Sequence, residues 1–255
     1  MPLTLTALLG IPLISEGDDL AEIILSALEA TGLALEDGDI LVLGQKVVSK
    51  SEGRFVRLAD IKPRARARKL AERTGKDPRL VELMLRESKR VLRSRSGTII
   101  MKHRLGFVCA NAGIDHSNVA RQGSPEGDSV LLLPDDSDRS AAAIRSRLES
   151  VTGRRIGVLI NDSHGRAWRL GTVGVAIGMS GVPALIDQRG WIDLMGNTLH
   201  STIVGVADEL AAAASLVMGQ AAEATPVVHV RGFPYPLGQG TLGDLLRPAS
   251  HDLFS

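Results

Sequence analysis

An apolar run, Ile156 to Ile160, gives way at once to Asn161, Asp162 and Ser163, and then to Gly165, Arg166 and Arg169. A run of that length reads as a buried strand. The polar cluster is therefore expected at the strand's C-terminal end, where open α/β sheets bind ligands. A carboxylate beside a hydroxyl offers the hard oxygens that Mg²⁺ or Mn²⁺ takes, and guanidinium forks suit phosphate or carboxylate. Metal plus anion is the chemistry implied, although an Asp after a strand is also a common helix N-cap. A second polar segment, Asn111 to Asn118, follows another apolar stretch and contains Asp115 and Asn118. Asx residues of this kind also form turns. The two carboxylates gain weight together, because a divalent ion on phosphates needs only one or two protein carboxylates. A third segment, Gly44 to Lys50, reads as a loop that places Lys46 and Lys50 after a strand, where a lysine can neutralise phosphate or remain solvated surface.

Several chemistries are excluded. The chain has no G-x-x-x-x-G-K-[ST] and no G-x-G-x-x-G, so neither a P-loop nor a Rossmann cofactor site is indicated. Without G-x-S-x-G, Ser163 is a poor hydrolase nucleophile. The six histidines match no zinc spacing. His229 reads as a packed or surface histidine, and Cys109 as a small core residue. A single cysteine rules out an intrachain disulfide framework and suits a reducing compartment. At 255 residues, 44% apolar and 23% charged, the composition is globular. The longest uncharged run, Leu170 to Ile186, is too rich in glycine for a membrane span, and the N-terminus lacks a signal peptide's pattern. A cytoplasmic protein is expected. Net charge is only +1, yet residues 62–95 carry thirteen Lys/Arg against four Asp/Glu. That segment reads as two solvated helix faces or as a rim attracting a polyanionic small molecule. It lacks the interleaved aromatics that stack bases.

The elements that must position these residues alternate in an α/β pattern. Leu3 to Leu9, Ile40 to Leu43, Thr98 to Lys102, Gly106 to Ala110, Ser129 to Leu133, 156–160 and Pro226 to Val230 read as strands, the third and fourth as a hairpin. Helices are expected after Asp18 or Asp19, over Arg64 to Thr74 and Pro78 to Arg90, from a cap at Ser137 or Asp138 through Glu149, and over Val206 to Met218. Gly174 and Gly178 are expected to permit tight packing, and the tail after Arg231 to be loop.

Gly10-Ile11-Pro12-Leu13, Glu16-Gly17-Asp18-Asp19-Leu20, Asp37-Gly38-Asp39-Ile40, Lys46-Val47-Val48-Ser49-Lys50, Ala112-Gly113-Ile114-Asp115, Ser117-Asn118, Asp162-Ser163, Gly165-Arg166, Trp168-Arg169, Ala207-Asp208-Glu209 and Val230-Arg231-Gly232 are each weak signals. In this order and spacing, the chain resembles the coenzyme F420-0 gamma-glutamyl ligases over nearly its whole length. The resemblance implies an α/β, mixed α+β fold: one unit spanning residues 1–255, with two subdomains whose boundary the sequence does not place, forming an intertwined homodimer. It implies a GTP-dependent ligase that joins L-glutamate to coenzyme F420-0 through an acyl phosphate and adds further gamma-linked glutamates. By the same resemblance Asp115 and Asp162 hold one divalent ion, Mg²⁺ or Mn²⁺, and Ser163 with Gln220 helps hold a second. Whether K⁺ is also needed stays open. Gly10, Ile11, Pro12, Leu13, Gln45, Lys50, Asn118, Gly219 and Gln220 contact GTP. Asp115, Asp162 and Lys50 carry the chemistry. His164 and the loop Gly219 to Thr225 depart from the family pattern. Arg166 and Arg169 are read from their own chemistry as clamps for the acceptor's phosphodiester or carboxylates. Nucleic acid and membrane are not expected partners. Two other readings are a non-catalytic anion- or RNA-binding protein using residues 62–95, and a metal-dependent phosphotransferase acting on another acid.

Overall fold

The structure is a computed structural model and describes residues 1–116, 119 and 129–252. In chain order its elements are β1 (Thr4–Ala7), α1 (Leu20–Ala30), β2 (Ile40–Gly44), α2 (Gln45–Ser51), β3 (Phe55–Arg57), α3 (Ala65–Thr74), α4 (Pro78–Arg86), β4 (Ser88–Arg95), β5 (Thr98–His103) and β6 (Val108–Ala110). These are followed by β7 (Ser129–Leu131), α5 (Ser137–Thr152), β8 (Gly157–Gly165), β9 (Thr172–Ser180), β10 (Ile186–Asp187), β11 (Ile203–Val204), α6 (Val206–Met218), β12 (Val227–Arg231) and α7 (Leu242–Leu245). The class is mixed α/β. No helix among the described residues is long and apolar enough to cross a membrane.

Five strands form the central sheet in the order β1-β12-β2-β8-β9, with β2 and β8 parallel and the other neighbours antiparallel. The four residues Ile40 to Leu43 of β2 are all fully buried because both faces of the sheet are covered. Leu41, Leu43, Val158 and Ile160 pack with α1 and α5, whereas Ile40, Val42, Leu159, Val228 and Val230 pack with α6. A separate buried cluster joins α3 and α4 to the β4-β5-β6 sheet and the β3–β7 pair through Leu58, Leu70, Val81, Met84, Ile99, Met101 and Val130.

The glycines of β9 permit close approach on both sides. A Cβ on Gly174 would sit 2.5 Å from the Ala211 carbonyl of α6, and one on Gly178 would sit 2.4 Å from Ser137 Cβ of α5. The register slips between Ile160 and Asn161, which pair with Gly178 and Ala176 and leave Ile177 extra in β9. This bulge turns the two glycines toward opposite helix layers.

Some local readings are corrected. Gln45 to Lys50 is helical, so the segment read as a loop is α2. Gly44 caps it without a side-chain bond, and nothing local announces a helix there. The helix beginning at Pro78 stops at Arg86, and Ser88 to Arg95 pairs with β5 instead. Asp136, not Ser137 or Asp138, caps α5; Asp138 accepts the Met179 amide of β9. The C-terminal segment holds a short helix, closed by a capping box between Thr241 and Asp244. His229 is buried and donates to Asp39 at 2.8 Å, and Arg231 bonds the same carboxylate.

Candidate active site

The apolar run of β8 does not end where its polar residues begin. The strand continues to Gly165, with Asp162 opposite Val175 and Ser163 opposite Gly174, so Asp162 caps no helix. Side chains alternate along a strand, and the contacts follow that alternation. Asn161 and Ser163 meet Met218 and Gln220 at the end of α6. Asp162 and His164 point the other way, His164 toward Phe107.

The sheet's topology brings distant segments to this end. Ala7, Val228, Val42 and Leu159 pair in one cross-strand row. Because β1, β2 and β8 run in the same direction, the segments that follow them, including Gly10–Leu13 and Gln45, leave the sheet at the edge where Asp162 stands. The chain preceding β12 enters at the same edge: Gly44 donates its amide to the Pro226 carbonyl at 2.8 Å. Gly219, at φ 72° and ψ −174°, turns the chain into that loop in a conformation that is essentially glycine's alone.

Asp115 arrives from the other core. Its backbone makes a two-way bridge with Leu131, at 3.0 and 2.9 Å. The approach is strained: Asn111 and Ala112 have φ of 53° and 56°, and Ala112 is fully buried. Gly113 follows at φ 64°, where a Cβ would lie 2.6 Å from the Leu133 side chain. Surrounding packing holds this backbone and thereby aims Asp115.

The first turn of α2 receives the carboxylate. Ser49 Oγ donates to Gln45 Oε1 at 2.9 Å, which leaves Gln45 Nε2 to donate to Asp115 Oδ2 at 2.6 Å. Lys46 Nζ stands 3.6 Å from Asp115 Oδ1. Burial pushes the Asp115 carboxyl up to about 6; Lys46 and Gln45 pull against this, and the nearby Asp162 charge adds to it. Two aspartates remote in sequence thus share one electrostatic site. The ammonium of Lys50, one turn beyond Lys46, is pushed down by burial and by Lys46.

A hard divalent cation fits this donor set in a particular way. Among the described residues no group of three His, Cys, Asp or Glu is arranged to cage a metal. Two repelling carboxylates match a Mg²⁺- or Mn²⁺-type ion that completes its shell with water and a phosphate ligand. Ser163 Oγ donates to Gln220 Oε1 at 2.8 Å, and Gln220 Nε2 donates to Ser215 Oγ. That second oxygen pair lies on the opposite side of β8 from Asp162.

The other candidates are placed as follows. Gly10 to Leu13 follows β1 with Leu13 exposed, and makes no described hydrogen bond to Asp115 or Asp162. Arg166 and Arg169 lie in the β8–β9 turn beside exposed Trp168 and Leu170, and Arg166 donates to the Leu170 carbonyl. At about 3.3 Å per residue, Arg166 begins about 13 Å beyond Asp162. Ser117 and Asn118 lie outside the described residues. The resemblance names Lys50 for GTP and the chemistry; the lysine beside Asp115 is Lys46, one turn earlier in α2. Sequence reasoning gave no role to Ser49, His164 or Phe107. The one available signal was the alternation of Asp162 and His164, which puts both on one strand face.

Comparison with known proteins places this geometry in a family context. The family described as F420-0:gamma-glutamyl ligase matches residues 9–232. The coenzyme F420:L-glutamate ligase of Methanothermobacter thermautotrophicus is 47% identical over 256 residues, covering 100% of this chain and 99% of that protein. The protein of the same description from Methanopyrus kandleri is 49% identical, covering 93% and 92%. That from Methanocaldococcus jannaschii is 44% identical, covering 86% of each.

Proposed function

The chain belongs to the F420-0:gamma-glutamyl ligase family, and from that membership and the site's geometry we propose how it works as a ligase joining L-glutamate to coenzyme F420-0 in F420 biosynthesis. The co-substrate is GTP. The reaction passes through an acyl phosphate, and further gamma-linked glutamates are added in later rounds. The observation that supports this reading is that the charge of Asp162 is among the causes that raise the Asp115 carboxyl, although the two stand on segments remote in sequence.

A carboxylate is a poor acylating agent. Its oxygen must take the γ-phosphoryl group, with GDP leaving, before the glutamate amine attacks the carbonyl carbon and expels phosphate. Such transfer depends on positioning and charge stabilisation more than on a protein nucleophile. Asp115 and Asp162 would hold a divalent ion, Mg²⁺ or Mn²⁺, which when bound neutralises phosphate charge. Gln45, oriented by Ser49, keeps one Asp115 oxygen fixed. Lys46 and Lys50 repel each other across one turn and so favour an anion beside them. Gly10–Leu13, Asn118 and the Gly219–Gln220 loop take the nucleotide. Ser163 and Gln220 would hold a second ion, and Arg166 and Arg169 would grip acidic groups of the acceptor.

The assembly is a homodimer in the cytoplasm, and the cluster around α3, α4 and β4–β6 is the second subdomain. Support for the dimer comes from the segment between β10 and β11, where Trp191, Ile192, Leu194 and Met195 are all exposed.

The test is a product-mass assay with GTP, Mn²⁺, L-glutamate and coenzyme F420-0. The expected result is acceptor mass rising by one or more glutamyl residues, with one GDP and one phosphate per bond. GTP hydrolysis without that gain would refute the ligase assignment. RNA binding that weakens steeply with salt, without turnover, would favour a role for the exposed basic helices instead.

A further inference from the structure

The contacts of His164 give it a task. It stands two residues from Asp162 on the same face of β8, and its Nε2 lies 2.9 Å from Asp162 Oδ2. The other oxygen, Oδ1, accepts the Ser163 amide at 2.8 Å. One donor on each oxygen fixes the plane of the carboxylate and leaves about half of its four lone-pair positions open. The imidazole is itself held. Its ring packs at a tilt on Phe107, with centroids 5.2 Å apart, and Phe107 stacks on the fully buried His103 at 5.0 Å and 7°. Only 11% of the His164 side chain and 14% of the Asp162 side chain are exposed, so water does not compete freely for the bond. His103 Nδ1 accepts the Leu105 amide at 3.1 Å, which locks the base of the stack to the β5–β6 turn.

We propose that His164 is a positioning residue: braced by Phe107 and His103, it holds the Asp162 carboxylate in the orientation that receives the divalent cation. Partners of this kind behind a metal ligand typically contribute 10–100-fold in affinity or activity. The inference rests on the reading of Asp162 as a cation ligand, so the experiment separates the two.

Mn²⁺ alone, without nucleotide, is titrated into the full chain and free Mn²⁺ is followed by electron paramagnetic resonance. Wild type, Asp162→Asn, His164→Ala and His164→Gln are compared, with thermal unfolding of each. Gln reaches about as far as an imidazole Nε2 and still donates. The expected result is loss of the site in Asp162→Asn and about tenfold weaker binding in His164→Ala. Recovery of most of the affinity is expected in His164→Gln, with unfolding temperatures alike. Wild-type affinity in His164→Ala, beside a lost site in Asp162→Asn, would overturn the positioning role alone. Loss in His164→Ala that Gln does not restore, tracking a lowered unfolding temperature, would also overturn it by making the role structural. Unchanged binding in Asp162→Asn would overturn the underlying reading of the site.

Discussion

Asp162→Asn should fold like the wild type and lose at least about 10²–10³-fold of its divalent-dependent turnover, the scale on which removing one charge-stabilising group from a phosphoryl- or acyl-transfer site is felt. Asparagine keeps the size of the side chain, and its oxygen can still accept the Ser163 amide that the carboxylate now accepts at 2.8 Å. No core packing depends on the charge, since the Asp162 carboxylate bonds His164 and the Ser163 amide and not the apolar layers. What disappears is the negative charge through which Asp162 is proposed to hold the cation. Steady-state rates across a Mn²⁺ series, with circular dichroism to verify the fold, check this. Turnover near wild type would remove Asp162 from the chemistry.

Asp115→Asn should abolish turnover and yet stabilise the metal-free protein above pH 6. The sign follows from the direction of the shift. Asp115 is an acid whose folded-state pKa is pushed up from 3.8 to about 6, chiefly by burial. Below pH 3.8 it is protonated whether the chain is folded or not, and no cost arises. As pH rises toward 6 the unfolded chain ionises first, so stability falls; above about 6 the cost is constant. A rise from 3.8 to about 6 corresponds to about 3 kcal/mol. Urea denaturation in EDTA should therefore show the variant more stable at pH 7.5 and equal to the wild type at pH 3.5. Adding Mn²⁺ should stabilise the wild type by mass action and leave the variant unmoved. A variant less stable than the wild type at pH 7.5 would contradict the buried, repelled state of this carboxylate.

The boundary between what the sequence made legible and what it did not runs along chain separation. Strongly patterned elements were legible: Val206 to Met218 is α6 to the residue, and the Thr98–Ala110 hairpin pairs as expected. The polar half of β8 was not, because polar residues on both strand faces erase the apolar signal that marks a strand. Helix α2 is seven residues long and lacks a side-chain cap, so its lysines read as loop. The two aspartates could be nominated from their local motifs. Their partners could not: Gln45 is 70 residues from Asp115, and the ring stack that braces His164 joins β8 to the β5–β6 turn. That Lys46 stands beside Asp115 was not legible, because a helix places its side chains by angle, which a loop reading cannot supply. Gly113 and Gly174 show the same limit. Each is one glycine among 27 until the Leu133 side chain and the α6 backbone press on them.

Crystals grown with Mn²⁺ and a non-hydrolysable GTP analogue, measured for anomalous scattering at the manganese edge, offer the most direct examination of the proposed shared cation. One peak should lie between the Asp115 and Asp162 carboxylates, within roughly 2.0–2.3 Å of an oxygen from each, the range hard divalent ions keep, with analogue phosphate oxygens completing the shell. Manganese bound elsewhere, with both carboxylates free of metal while the nucleotide is in place, would contradict the account.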